Sequence, residues 1–245
     1  MDQLTDYADD RLINGCIYCG GPSETRDHVP SRVLLNQPYP ENLPVVGACS
    51  ECNQGFSKDE LYVVCLIEAT IAGSADPDKI RRPSVAEAMR RSPALHARIE
   101  AARKCIDGRI EFAGEADRIR NVVLKLARGH AAFELSQPCR GEPDHLWWCP
   151  MPVMAEAEWE EFNSVHFQNT FGEVGSRGLR RMLVTQVVLP FKTGERTELR
   201  LLVNDWVDVQ EGCYRYLAID DHGGIVIRIV IADYLACEVG WRVNG

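Results

Sequence analysis

Two Cys-x-x-Cys pairs near the start of the 245-residue chain, Cys16/Cys19 and Cys49/Cys52, restrict its fold more than any other feature. A single pair is common in short knuckles. Two pairs with 29 residues between them, Gly20 through Ala48, have the pattern of a four-thiolate zinc site. Four sulfur ligands complete a tetrahedron and leave no open coordination position, so the zinc they imply is structural and not catalytic. Such a site clips the ends of the stretch together and holds the residues between them on a rigid frame. The alternative, four ordinary core thiols, fits poorly with the Gly20-Gly21-Pro22 turn that follows the first pair. The other six cysteines (Cys65, Cys105, Cys139, Cys149, Cys213 and Cys237) are scattered singly, mostly among apolar neighbours. They read as reduced, buried thiols in a cytoplasmic protein.

The framed stretch reads as a hairpin followed by a helix. Asp27 and His28 stand just before Pro30, which cannot donate to a strand ladder, so the first strand ends there. Asn42-Leu43 leads into the β-branched pair Val45-Val46 and then into the second cysteine pair. From Gln54 to Ala72 the apolar residues Phe56, Val63, Val64, Ile67 and Ile71 recur at helical spacing, with Asn53 at the helix start.

Asp-His-Val-Pro, then Asn-Leu, then Cys-x-x-Cys-Asn, all within two cysteine knuckles, resembles an HNH endonuclease of the ββα-metal type. The resemblance covers about a quarter of the chain. It implies a metal-dependent hydrolase of phosphodiester bonds, with nucleic acid as partner and DNA as the expected substrate. In that reading His28 is the general base, a role suited to an imidazole whose unperturbed pKa lies near 6.5. Asp27 and Asn53 hold a catalytic divalent cation, Mg2+ or Mn2+, as hard oxygen ligands would. Asn42 orients His28 across the hairpin, and Zn2+ sits on Cys16, Cys19, Cys49 and Cys52. The sequence departs from the family where many members carry a Lys after the final Asn; Phe56 stands there and Lys58 comes later. Asp59 and Glu60 follow, either to complete the cation site or to cap the helix. A second Asp-His pair, Asp144-His145, has no Asn-Leu or Cys-x-x-Cys-Asn after it and reads as a loop.

Charge argues the other way. The chain carries 27 Lys and Arg against 36 Asp and Glu, a net −9, and residues 1–60 hold only four basic residues against ten acidic ones. Nucleic-acid binders usually present a basic surface. The middle is different: residues 61–140 hold fourteen basic residues against ten acidic. Backbone contacts are therefore expected from Lys58, Arg118, Lys125 and Arg128, with Arg118 and Lys125 on the outer side of one helix. The acidity of the first 60 residues supports a rival reading, a catalytically inactive zinc-stabilised module that binds nucleic acid or protein. A third places the enzyme in the C-terminal part, where no paired catalytic constellation is visible.

The expected fold class is α+β, with residues 1–75 as the zinc-stabilised ββα module and 76–245 as a second domain, helical over 78–135 and β-rich over 140–245. Residues 1–15 read as an acidic lead-in. Ser84-Val-Ala-Glu87 has the form of a capping box opening a short helix through Arg91. Ser92-Pro93 starts another as N-cap and first helical residue. Asp107-Gly108 is a turn before a strand at Arg109–Ala113. The stripe Ile119, Val122, Val123, Leu126, Ala127 and Phe133 predicts an amphipathic helix over Ala116–Leu135, with His130 packed beside it. Strand-like runs follow at 146–149, 183–189, 199–203, 213–219 and 225–231, with turns at Lys192-Thr-Gly194 and Asp221-His222-Gly223-Gly224. Residues 155–162 read as helical, and Arg177, Arg180 and Arg181 as a basic surface loop. These strands suggest an antiparallel sheet or small barrel. Recognition, ligand sensing or a homo-oligomer contact are its candidate roles. No apolar run is long enough to span a membrane.

Overall fold

The computed structural model of the chain describes residues 15–106, 109–190 and 196–242. Residues 1–14 of the expected lead-in and the turns at Asp107-Gly108 and Lys192-Gly194 lie outside them.

The cysteine frame encloses a hairpin and a helix. Strands β1 (Thr25–His28) and β2 (Val45–Ala48) pair antiparallel, with Asp27 opposite Val46 and His28 opposite Val45. Helix α1 (Ser50–Ala72) starts directly after Cys49, whose sulfur caps it by accepting from the Cys52 amide at 3.4 Å. The helix stops at Gly73, which takes the left-handed φ of 62° that a side chain resists. Tyr62, Val63, Val64, Leu66, Ile67 and Ala69 are all buried, so the second half of α1 is covered on more than one side.

Two short helices follow, α2 (Pro83–Arg91) and α3 (Pro93–Ala102). The capping box expected at Ser84 does not form. Pro83 sets the first helical residue, Arg82 is the N-cap without a side-chain cap bond, and Ser84 falls inside the helix. Ser92 does cap α3, accepting from the Leu95 amide. Strands β3 (Arg103–Ile106) and β4 (Arg109–Phe112) make a hairpin, of which only the second strand is legible in the sequence. Helix α4 (Ala116–Leu135) has the expected bounds and buries Ile119, Val122, Val123, Leu126 and Ala127. Full burial of side chains this size is worth roughly 1.5–3 kcal/mol each, which is why an amphipathic stripe, more than helix propensity, fixes α4 in place.

The C-terminal part is antiparallel, but it forms two sheets. One contains five strands in the order β5 (His145–Pro150), β12 (Leu235–Arg242), β11 (Gly224–Ile231), β10 (Tyr214–Asp221) and β9 (Val207–Gln210). Asp144-His145 is thus the entry to a strand and not a plain loop. His222 and Gly223, both at positive φ, make the expected turn between β10 and β11. The other sheet has three strands, β6 (His166–Gln168), β8 (Arg196–Asn204) and β7 (Leu183–Pro190), and exposes Leu183, Val184, Val188 and Leu199. In the chain, α5 (Glu156–Asn163) precedes β6 and α6 (Arg177–Arg181) precedes β7, so the three arginines begin and end a five-residue helix where a loop was expected.

Packing does not follow a boundary at residue 75. One apolar cluster joins Leu34, Tyr62 and Val63 to Val122, Tyr216, Ile227 and Val239. Helix α4 lies at its centre, against α1 on one side and strands β10, β11 and β12 on the other.

Candidate functional site

The four cysteines of the frame converge. The sulfurs of Cys16, Cys19, Cys49 and Cys52 all lie within 4.8 Å of one another, and those of Cys19 and Cys49 are 3.8 Å apart. A tetrahedron of Zn–S bonds of about 2.3 Å has edges of about 3.8 Å, so the donor set fits one zinc ion. Backbone amides support it: Gly21 donates to the Cys19 sulfur and Cys52 to that of Cys49, both at 3.4 Å. Burial opposes ionisation of Cys16, but hydrogen bonds from the Cys49, Cys19 and Tyr18 backbone outweigh it and lower the thiol to about 7. Cys52 is pushed up by burial and by the neighbouring thiols. A divalent cation removes that mutual repulsion and lets all four ionise.

Asp27 and His28, adjacent at the end of β1, lie in different surroundings. The His28 ring is half-buried, and its Nδ1 is buried without a hydrogen-bond partner among the described residues. Burial lowers its pKa below 6.5, helped by the Arg32 and Lys125 charges and opposed by Asp27. The ring is therefore neutral at pH 7 and able to accept a proton. Asp27 is only 6% exposed. The Tyr18 hydroxyl donates to it at 2.7 Å, and the Lys125 ammonium lies 2.9 Å away.

Asn53, in the first turn of α1, donates through Nδ2 to Thr25 Oγ1 at 3.1 Å and to the Arg26 carbonyl at 3.4 Å. It ties helix to strand. Asn42 is exposed in the loop before β2, and no hydrogen bond joins it to His28 among the described residues. The orienting role expected of it is not formed here.

A second group of charges surrounds Asp27. Lys125 is 1% exposed, and its Nζ donates to Glu60 Oε1 at 2.6 Å and to Ser31 Oγ at 2.5 Å as well as to Asp27. The Ser31 hydroxyl donates in turn to Glu60. Two turns earlier on α4, Arg118 pairs with Asp59 at 2.5 Å, and Asn121 donates to the same carboxylate at 2.7 Å. Consecutive acids of α1 thus meet bases seven apart on α4. Arg118 and Lys125 do share one side of the helix, as their spacing requires, but that side faces α1 and not solvent. Neither Asp59 nor Glu60 is left for a divalent cation.

The remaining expected contacts divide in the same way. Arg128 donates to the carbonyls of Cys139, Arg140 and Gly141, each at 3.0 Å, so its guanidinium closes a loop. Arg181 pairs with the buried Glu134 at 2.7 Å, and Arg177 stacks 4.3 Å over the Phe133 ring. Lys58 is exposed on α1. His130 is fully buried, bonded to the Tyr214 hydroxyl at 2.8 Å and stacked on Tyr216, which fits the packed role expected for it.

A Mg2+ or Mn2+ ion on Asp27 and Asn53 does not fit this arrangement. The Asp27 carboxylate is buried and already paired with Lys125 and Tyr18, and Asn53 directs its amide N–H groups into β1. Tyr18 and Ser31 carried no motif, and the inward side of Lys125 had one signal only: it stands between Val122 and Gly129 at helical spacing. Gly129 lets α4 approach the end of the hairpin, since a Cβ there would lie 2.6 Å from the Val29 side chain. No helix among the described residues is long and apolar enough to cross a membrane. Set against family models, curated proteins and solved structures, the chain matches none.

Proposed function

We propose that this chain is an HNH-type hydrolase of phosphodiester bonds in nucleic acid, with DNA as the first substrate to test. The observation that carries the reading is the order of parts: Asp27-His28 at the end of β1, Asn53 in the first turn of α1, and both elements clamped by four converging thiols. Bound zinc would hold hairpin and helix together. His28, neutral at pH 7, would take a proton from the attacking water, a contribution of about 10²–10⁴ in rate for a well-placed base. The exposed Arg32 and Lys58 are the basic side chains of this module best placed to meet a phosphate.

The test incubates the zinc-loaded protein with plasmid DNA and with an RNA transcript, in buffers containing Mg2+ or Mn2+, beside a His28→Ala variant. Cutting by the wild type and a loss of at least about 10²-fold in the variant are expected. Equal cutting by the two proteins rejects the assignment of His28.

One observation favours a second reading. Asp27 is buried under Lys125, so the module has the frame of a nuclease while its acidic residue is engaged internally. A zinc-stabilised binding module without turnover would behave in this way. It predicts that neither protein cuts and that both bind oligonucleotide, or a protein partner, with the same affinity.

A further inference from the structure

The Lys125 cluster has the geometry of a site for an ammonium ion. An ammonium presents three N–H donors, and here three acceptors meet them: the Asp27 carboxylate at 2.9 Å, Glu60 Oε1 at 2.6 Å and Ser31 Oγ at 2.5 Å. The Phe56 ring, its centroid 5.9 Å away, adds an aromatic face. Both hydroxyls of the cluster turn their own protons onto the carboxylates, Tyr18 onto Asp27 and Ser31 onto Glu60. Every donor named has an acceptor. Asp27 and Glu60 are each 6% exposed and Lys125 1%, so water does not complete the shell. Mg2+ asks for something else: about six oxygens at 2.0–2.1 Å, several of them water.

We propose that Asp27, Ser31 and Glu60 form a buried alkylammonium site whose resident occupant is Lys125, and that Asp27 accordingly takes no Mg2+ or Mn2+ in the folded chain. The proposal revises the cation that the nuclease resemblance implies and leaves the role of His28 to the cleavage assay, so the two can fail separately. Its structural consequence is that one side chain of α4 is shared by two acids, one contributed by β1 and one by α1.

The experiment uses the full zinc-loaded chain. In a Lys125→Ala variant the cage keeps its three acceptors and loses its occupant, and the midpoint of thermal unfolding should fall by about 10 °C. Methylammonium chloride should recover part of that loss, while sodium chloride at equal ionic strength and MnCl2 should not. Adding Asp27→Asn to the variant should remove the methylammonium effect. Recovery by MnCl2 in place of methylammonium, or by neither, overturns the proposal. The wild type supplies a check that needs no variant: on titration with Mn2+, the backbone NMR signals of Asp27 and Glu60 should stay sharp. Paramagnetic broadening centred on those two residues overturns the proposal as well.

Discussion

The thiol cluster and the Lys125 cage sit at the two ends of one short hairpin, and they solve the same problem in opposite ways. At the thiol cluster four like groups face one another, the neighbouring thiols push Cys52 up, and the described residues place no cation among them, so a cation must come from solution. At the cage the chain supplies the cation itself, from a helix 65 residues beyond Glu60. The first arrangement depends on sequence-local knuckles and would fold with metal. The second depends on α4 being docked, so it belongs to the tertiary core. Soft sulfur donors fit a metal at one end of the hairpin, and a saturated ammonium fills the other, where His28 adjoins Asp27.

The largest expected effect is at the thiol end. Cys49→Ser removes a zinc ligand while its hydroxyl can still cap α1, and zinc content measured by atomic emission should fall from one ion per chain to well below that. Because metal binding and folding of such a module are linked, its unfolding transition should broaden or split. A fully zinc-loaded variant with an unchanged transition contradicts the assignment of the site.

At the cage, Lys125→Met leaves two buried carboxylates without their cation and should cost about 3–5 kcal/mol in urea unfolding. The triple change Asp27→Asn, Glu60→Gln and Lys125→Met removes all three charges together and should recover most of the loss, because well-packed neutral replacements of buried ion groups are often near neutral. A triple variant as unstable as the single one would show that the cage holds the fold by shape and not by charge balance.

Gly129→Ala tests the contact between the two halves from the other side. Its new methyl meets the β-branched, fully buried Val29, and a cost of about 1–3 kcal/mol is expected, with Val29→Ala in the same chain relieving it.

A smaller effect concerns pH. His28 and the fully buried His130 both have pKa values lowered below 6.5, chiefly by burial. Arg181 and Lys125 add to the shift at His130, whose ring faces Tyr214 and Tyr216. In the unfolded chain each takes up a proton near pH 6.5, and in the folded chain only at lower pH. The unfolded state therefore binds more protons, so stability contributed by the neutral rings is present above 6.5 and is lost as pH falls below it. A His130→Gln variant should show a shallower loss between pH 6.5 and 5 than the wild type. The smallest effect is expected for Lys58→Ala, within about 0.5 kcal/mol of wild-type stability, while oligonucleotide affinity, if any, falls and its salt dependence weakens.

Much of this architecture was legible in the sequence, and the parts that were not share a cause. The cysteine spacing gave the hairpin-helix module, and the apolar stripe of α4 gave its bounds, because both signals are local. Strand β12 escaped because Ala236, Glu238 and Gly240 interrupt its apolar run. Gly240 is there for packing, since a Cβ would run into the His145 ring at 2.0 Å. The capping box at Ser84 failed because Pro83 starts the helix first. Lys125 and Arg118 were placed together correctly and on the wrong side, because helical spacing tells which residues share a face and not what covers it. Only the chain of α1, with Asp59 and Glu60 in sequence, decides that.

Helix α4 spans 20 residues, a single rod of about 30 Å. Its middle holds Lys125 and the cage, and its later turns rest on the five-stranded sheet through His130. Glu134, buried against Tyr216 and Arg181, stands nine residues beyond Lys125 on the same rod, about 14 Å along its axis, so one straight backbone spaces the charges at the hairpin from those at the sheet.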